Sequence, residues 1–232
     1  MTRVVVLTGA GISAESGVPT FRDSDGLWEG HPVEDVATPE GFERDPMTVQ
    51  QFYDARRAAL ETVEPNPAHY ALARLGEALG DELVLVTQNI DDLHERAGST
   101  GVVHMHGEAY RAWCTECDRR WPWRTTLVDD PACPGCGARA LRPDVVWFGE
   151  MPYEMNRIAV ELARADLFVS IGTSGAVYPA AGFVQQARKY GARTLELNLE
   201  PSEGSFYFHE ARQGPASRLV PEWVEDLLAS RD

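Results

Sequence analysis

The chain has 232 residues and a formal net charge of −15, which permits a sizeable core in one large domain or in a large and a small one. So acidic a chain argues against a nucleic-acid-binding protein, because neutralising phosphates requires clustered Lys and Arg. No apolar run approaches the ~20 residues of a membrane-spanning helix, so we expect neither nucleic acid nor a membrane as a partner.

Short apolar runs alternate with amphipathic helical patterns along the chain. This order is typical of a parallel sheet wrapped by helices, and runs of Val, Leu and Ile suit strands buried on both faces. The predicted strands are residues 3–8, 82–87, 167–171 and 194–198. The predicted helices are residues 14–16, 47–61, 67–79, 155–164, 180–190 and 221–228. We therefore expect an α/β fold with a Rossmann-like parallel sheet and helices on both of its faces.

The first predicted strand runs directly into a Gly-rich turn, Gly9-Ala10-Gly11-Ile12-Ser13-Ala14. Such a turn lets the backbone approach a pyrophosphate, whose charge the amides and a helix N-terminus stabilise. Ala14 stands where a third glycine often sits. The motif is weak alone, and no acidic ribose-binding residue is cleanly placed about 20 residues further on. A conventional dehydrogenase is therefore disfavoured.

Two stretches, residues 23–66 and 108–142, break the alternation of strands and helices. We interpret the first as a loop and helical insertion and the second as a zinc-ribbon insertion. Together they would form a small domain beside a dinucleotide-binding domain made of residues 1–22, 67–107 and 143–232.

The second insertion contains two Cys-x-x-Cys pairs, Cys114/Cys117 and Cys133/Cys136, which use every cysteine of the chain. Their separation matches a zinc ribbon in which four thiolates surround one Zn²⁺. The alternative is two disulfides in a secreted protein. However, the N-terminus runs directly into a strand, with no export signal, so we expect a cytoplasmic protein. A four-thiolate site is closed, which makes the predicted zinc structural.

These motifs together resemble the sirtuins, the NAD-dependent protein-lysine deacylases. The matching segments follow the family's order through nearly the whole chain: residues 9–13, 17–22, 87–91, His106-Gly107, the four cysteines, residues 146–150, 172–174 and Asn198. The resemblance is nearest to the bacterial and mitochondrial members that remove acidic acyl groups. Those members carry a Tyr-x-x-Arg pair, and Tyr53-Asp54-Ala55-Arg56 fits it.

The resemblance implies a reaction that requires no protein nucleophile. The acyl-lysine carbonyl oxygen attacks the nicotinamide ribose, nicotinamide leaves, and a base accepts a proton from the ribose hydroxyls. By family position this base is His106, since imidazole suits proton transfer near neutral pH. His104 is the alternative, interpreted instead as a structural partner. The products would be lysine, nicotinamide and 2'-O-acyl-ADP-ribose.

The family positions also predict the residues that contact NAD. Asn89 and Asp91 would hold the nicotinamide carboxamide and a water, and are counted with His106 as catalytic. Phe21 would cover the reactive ribose once nicotinamide has left. The full predicted cofactor set is Gly9, Ala10, Gly11, Ile12, Ala14, Thr20, Phe21, Arg22, Trp28, Gln88, Asn89, Ile90, Asp91, His106, Gly172, Thr173, Ser174, Asn198, Leu199, Glu200 and Ala216.

The predicted substrate residues are Tyr53, Arg56, Val146, Phe148 and Gly149. Tyr53 and Arg56 are three apart on a predicted helix, so they share one face and could bind one carboxylate. Alternatively, Arg56 and its neighbour Arg57 are a solvated basic pair. In the family the 146–150 run pairs with the substrate backbone by strand addition, although it reads equally as a core strand. Succinyl, malonyl and acetyl groups are all expected substrates.

Two other functions stay open at this point. ADP-ribosyl transfer shares the first bond-breaking step but delivers the ribose to another nucleophile. A non-catalytic binding module that uses the ribbon is disfavoured by His106 and by the negative charge. The expected partners are acylated lysine side chains of proteins, and the sequence leaves the oligomeric state open.

Overall fold

In a computed structural model, the chain is described for residues 2–20, 27, 28 and 30–230. The strands of this part are β1 (Val4–Thr8), β2 (Leu27–Trp28), β3 (His31–Pro32), β4 (Leu83–Thr87), β5 (Val103–His104), β6 (Gly107–Cys114), β7 (Arg120–Pro122), β8 (Leu141–Val145), β9 (Leu167–Ile171), β10 (Arg193–Asn198) and β11 (Glu210–Gln213). The helices are α1 (Ala10–Ser13), α2 (Val33–Val36), α3 (Pro39–Arg44), α4 (Pro46–Leu60), α5 (Pro67–Leu79), α6 (Leu93–Arg96), α7 (Met155–Arg164), α8 (Phe183–Lys189) and α9 (Ala216–Ala229).

The main sheet is parallel, with the strand order β11-β10-β9-β1-β4-β5. Its four longest strands confirm the prediction, whereas the short outer strands β5 and β11 were not predicted. The register aligns Thr8 at the end of β1 with Thr87 of β4 and with Ile171 of β9. The segments that follow these three strands therefore start side by side at one edge of the sheet, where ligands of such folds bind.

Helices cover both faces of the sheet, as predicted. Alternate residues of β1 point to opposite faces. Val4 and Val6 join a core cluster with α5 and α9, whereas Val5 and Leu7 join one with α7 and α8. The predicted bounds of α5 and α7 are confirmed.

The last helix begins five residues earlier than the predicted start at Pro221. Proline favours the first turn of a helix, which suggested that start. In α9, Pro221 instead lies inside the helix, while Leu219 and Val220 on the preceding turn are buried in the core. Tertiary packing thus outweighs the unfavourable helix propensity of proline.

The two insertions each build a separate group of elements. Strands β2 and β3 and helices α2 to α4 pack around a cluster that includes Val36, Phe52 and Tyr53. Strands β7, β6 and β8 form an antiparallel sheet that carries the cysteines. The division into two domains stays a prediction. No helix of the described residues combines the length and apolar character that a bilayer crossing requires.

Candidate active site

Two glycine turns meet at the edge of the sheet. The Gly11 amide donates to the Gly172 carbonyl at 2.9 Å, and a Cβ on Gly11 would lie only 2.7 Å from Gly172 Cα. Gly172 has a φ of 62°, which favours glycine. These two positions therefore require glycine, and the structure brings the predicted residues 9–12 and 172–174 together.

A buried polar network lies beside these turns. Ser13 Oγ donates to Asp91 Oδ2 at 3.1 Å and accepts from Asn89 Nδ2 at 3.1 Å. Desolvation by burial raises the pKa of Asp91, although hydrogen bonds from the Leu93 amide and the Ser13 hydroxyl oppose it. The network fixes the side chains of Asn89 and Asp91 relative to the Gly-rich turn. Ser13 was not among the predicted site residues, although it belongs to the Gly9–Ser13 motif.

His106 lies between β5 and β6 with one ring nitrogen engaged. Its Nδ1 is 3.1 Å from the Gln88 carbonyl oxygen. A carbonyl can only accept, so Nδ1 carries the proton and Nε2 keeps its lone pair. Burial lowers the pKa of His106, and the hydrogen bond to Gln88 opposes this shift only in part. The imidazole is therefore neutral at pH 7 and has a free basic nitrogen.

His104 has both of its ring nitrogens engaged. Nε2 is 2.8 Å from Glu95 Oε1, and Nδ1 is 3.3 Å from the Asn89 carbonyl oxygen. Burial disfavours the charged imidazole, but the hydrogen bond and charge of Glu95 outweigh burial, so the pKa of His104 is raised. This geometry leaves His104 no free lone pair and supports its interpretation as a structural partner.

The predicted role of His106 as the general base implies a pH dependence of activity, because the pKa of this histidine is lowered. A general base works in its neutral form, so activity falls as the pH drops through that pKa. We expect the acid limb of kcat/KM to have its midpoint below 6.5, the ordinary value for histidine. Steady-state rates from pH 5 to 8, with circular dichroism at each pH to exclude unfolding, measure this midpoint. A midpoint at or above 6.5 would contradict the assignment.

Several residues of the predicted cofactor set lie just after β9 and β10. Asn198 Nδ2 donates to the Thr173 carbonyl at 2.7 Å, and the Leu199 amide donates to Asn198 Oδ1 at 3.0 Å. Glu200, next in the chain, is exposed, as is Leu199, whereas Thr173 and Asn198 are buried. At the start of α9, Ser217 beside Ala216 donates from its amide to Glu15 Oε2 at 2.9 Å. The structure thus brings Ala216 close to the Gly-rich turn.

Tyr53 and Arg56 lie on the buried side of α4. Their exposed fractions are 1% and 6%, so the alternative interpretation of Arg56 as part of a solvated basic pair is wrong. The Arg56 guanidinium carbon lies 4.5 Å from the Trp28 ring centroid, and Trp28 also packs edge-on against Tyr53. Trp28, predicted to contact the cofactor, therefore touches both residues of the Tyr-x-x-Arg pair. Arg57 is likewise buried, and it pairs with Asp54.

The run from Val146 to Glu150 is not a strand, since β8 ends at Val145. The Val146 amide donates to the His106 carbonyl, and the Phe148 amide donates to the Ala37 carbonyl, each at 2.9 Å. Any strand addition must therefore use the carbonyls of this run and the Gly149 amide. Phe148 is 44% exposed, so its ring is accessible to a substrate.

The four cysteines form a compact sulfur cluster. Their sulfurs lie within 4.8 Å of one another, with 3.7 Å between Cys114 and Cys136 and 3.8 Å between Cys117 and Cys133. Four thiolates bound to Zn²⁺ at about 2.3 Å in a tetrahedron have sulfurs about 3.8 Å apart. The cysteines are unpaired thiols, so the disulfide alternative is wrong. The cluster fits one structural zinc ion.

Loss of a single thiolate tests this structural role. We expect Cys114→Ser to abolish zinc binding and to lower the melting temperature by about 10 °C or more, because structural zinc contributes folding free energy directly. Elemental analysis measures the zinc content and calorimetry measures the melting temperature. The variant Thr115→Ala, in the same turn, is the matched control. A zinc-free Cys114→Ser variant with an unchanged melting temperature would contradict the role.

Two of the predicted cofactor residues, Phe21 and Arg22, lie outside the described residues. Ala14 ends the Gly-rich turn and Thr20 follows it on the chain, while Ile90 packs in the same apolar cluster as Tyr53 and Trp147. Trp147 was not among the predicted site residues, yet its indole Nε1 donates to the Tyr53 hydroxyl at 2.9 Å. The sequence signal for Trp147 was its place between the predicted substrate residues Val146 and Phe148.

Comparison with known proteins gives a consistent result. The Sir2 family model matches residues 9–179. A curated "NAD-dependent protein deacylase" of Escherichia coli K12 is 59% identical over 229 residues, covering 97% of this chain and 82% of that protein. A solved Sir2 homologue–NAD complex has a TM-score of 0.89 and 39% identity, covering 99% of this chain and 90% of that one. A mutant Sir2 homologue with ADP-ribose has a TM-score of 0.90 and 39% identity, with coverage of 98% and 92%.

Proposed function

The chain belongs to the Sir2 family and is an NAD-dependent protein deacylase, and on this premise we propose that it removes succinyl and malonyl groups, as well as acetyl groups, from lysine side chains. With one water consumed per turnover, the proposed products are the free lysine, nicotinamide and 2'-O-acyl-ADP-ribose. Its four unpaired thiols suit a reducing compartment, and we place the protein in the cytoplasm.

The observation that carries the acyl preference is the burial of Arg56 and Tyr53 on one face of α4. Arg56 and Tyr53 thus place a cation and a phenol on the same buried face of α4. A planar guanidinium beside a phenol can give a carboxylate several charge-assisted hydrogen bonds. The terminal carboxylate of a succinyl or malonyl group supplies such an anion, whereas an acetyl group does not.

His106 is the proposed general base. With Nδ1 held by the Gln88 carbonyl, Nε2 accepts the proton released when the ribose hydroxyl becomes a nucleophile. Because the Val146 amide donates to the His106 carbonyl, the substrate-binding run is attached directly to the base. The acyl-lysine stem would pass between His106, Phe148 and Val145.

Asn89 and Asp91 are the proposed partners of the nicotinamide carboxamide. The Ser13 hydroxyl fixes both side chains, so they present a defined donor and acceptor. Gln88 follows β4 and would bind a ribose hydroxyl, while the turns at Gly11 and Gly172 would face the phosphates. The other residues of the predicted cofactor set are proposed to contact NAD, as the family positions predict.

The competing function is ADP-ribosyl transfer, and product analysis separates the two. The purified protein is incubated with NAD and a succinyl-lysine peptide, and the products are identified by mass spectrometry. We expect the unmodified peptide and O-succinyl-ADP-ribose in equal amounts, both absent without NAD. An ADP-ribosylated peptide that keeps its succinyl group would favour ADP-ribosyl transfer instead.

A further inference from the structure

The hydrogen bonding of the Tyr53 hydroxyl is incomplete. An indole nitrogen can only donate, so the bond of 2.9 Å from Trp147 Nε1 makes the Tyr53 oxygen an acceptor. Within residues 2–20, 27, 28 and 30–230 there is no hydrogen bond in which Tyr53 donates its own proton. Since Tyr53 is 1% exposed, this proton is a buried donor, and buried donors are costly without an acceptor.

Several contacts fix the position of the Trp147 side chain. Its backbone amide donates to Glu150 Oε2 at 2.8 Å, and its side chain is 2% exposed. The Arg142 guanidinium carbon lies 3.3 Å from the Trp147 ring centroid. Arg142 is in turn fixed by two hydrogen bonds to Glu150, at 2.7 and 3.0 Å. The direction of the indole N–H is therefore set by the surrounding protein and not by Tyr53.

We propose that Trp147 is a specificity-determining positioning residue that aims the Tyr53 proton at the carboxylate of an acidic acyl group. This inference rests on the proposed function. The indole N–H occupies one lone pair of the Tyr53 oxygen and thereby limits where the hydroxyl proton can point. A carboxylate beside Arg56 is an acceptor of the required kind, and an acetyl methyl group is not.

The ionisation state of Tyr53 agrees with a donor role. Desolvation by burial raises the pKa of Tyr53 above its ordinary value, although the hydrogen bond from Trp147 opposes the shift. The phenol is therefore protonated throughout the neutral range.

The variant Trp147→Phe tests the proposal, because phenylalanine keeps an aromatic ring against Arg142 but lacks the indole N–H, although it is also smaller. We expect kcat/KM for a succinyl-lysine peptide to fall about fivefold, the effect of one ordinary hydrogen bond. The value for the matching acetyl-lysine peptide should stay within about twofold. A second variant carries 3-benzothienylalanine at position 147, which keeps the bicyclic shape without the N–H, and should show the same ratio.

A double-mutant cycle distinguishes positioning from general packing. In a Tyr53→Phe background, the further change Trp147→Phe should not alter the succinyl-to-acetyl ratio, because the group it positions is already gone. Additive losses, or equal losses on both peptides, would overturn the proposal.

Trp113, which lies close to the same guanidinium, provides a matched control. Its ring centroid lies 5.0 Å from the Arg142 guanidinium carbon, and its indole N–H donates to Asp118 at 2.8 Å. Trp113→Phe should leave the succinyl-to-acetyl ratio unchanged. If Tyr53→Phe itself leaves the ratio unchanged, the acyl preference of the proposed function fails too. If Tyr53→Phe lowers the ratio and Trp147→Phe does not, only this inference is wrong.

Discussion

Replacing His106 with alanine is expected to lower the deacylation rate by about 10²–10⁴-fold, the usual contribution of a general base. The structure supplies the reason, since His106 Nδ1 is held by the Gln88 carbonyl and Nε2 has a free lone pair. His94 also has an unpartnered ring nitrogen, but its side chain is 0% exposed and is therefore inaccessible to a substrate. NAD binding should persist, because the cofactor contacts proposed for the glycine turns do not involve the imidazole.

The measurement is single-turnover deacylation of a succinyl-lysine peptide, with NAD affinity from calorimetry and a melting curve as controls. A His106→Ala variant that folds, binds NAD and stays within tenfold of the wild-type rate would contradict the assignment of the base. The variant His106→Asn, which keeps a donor for the Gln88 carbonyl, should be equally inactive.

Replacing Arg56 with methionine is expected to lower kcat/KM for a succinyl-lysine peptide by about a hundredfold or more. The succinyl carboxylate would then enter a buried site without a cation, and an uncompensated buried charge costs several kcal/mol. The acetyl-lysine peptide has no charge to compensate, so its kcat/KM should stay within about threefold. Steady-state kinetics on the two peptides measure the ratio.

The neighbouring residue provides the matched control. Arg57 is also buried, it pairs with Asp54, and it donates to the Ala109 carbonyl at 3.4 Å. Arg57→Met should therefore lower stability and reduce both activities together. Equal losses on both peptides in Arg56→Met would exclude a carboxylate clamp at this position.

Much of the fold was predictable because its sequence signals are local. The strand β4 begins with the apolar run of residues 83–86, and α5 begins at Asn66-Pro67, an N-cap residue followed by proline at the first helical position. By contrast, β5 contains only two residues, and its pairing with β4 depends on the register of the whole sheet. The start of α9 was missed because burial of Leu219 and Val220 outweighs the signal from Pro221.

The candidate site also has features that local sequence predicts and features that depend on contacts between distant residues. The sulfur cluster was predictable because ligand spacing alone determines which cysteines share an ion. The tautomer of His106 was not, because it depends on a carbonyl 18 residues away in the chain. The contact between Trp147 and Tyr53 joins residues 94 apart. No periodicity or spacing rule reports such a contact, since it exists only after the first insertion has packed against the segment that follows β8.

The most direct test of the account is the ratio of kcat/KM values for succinyl- and acetyl-lysine peptides of one sequence, measured with the wild-type protein and saturating NAD. We predict NAD-dependent removal of both groups, with the succinyl peptide at least as good a substrate as the acetyl peptide. Removal of acetyl alone would contradict the acidic-acyl assignment of Tyr53 and Arg56 and leave a deacetylase whose buried Arg56 serves another purpose.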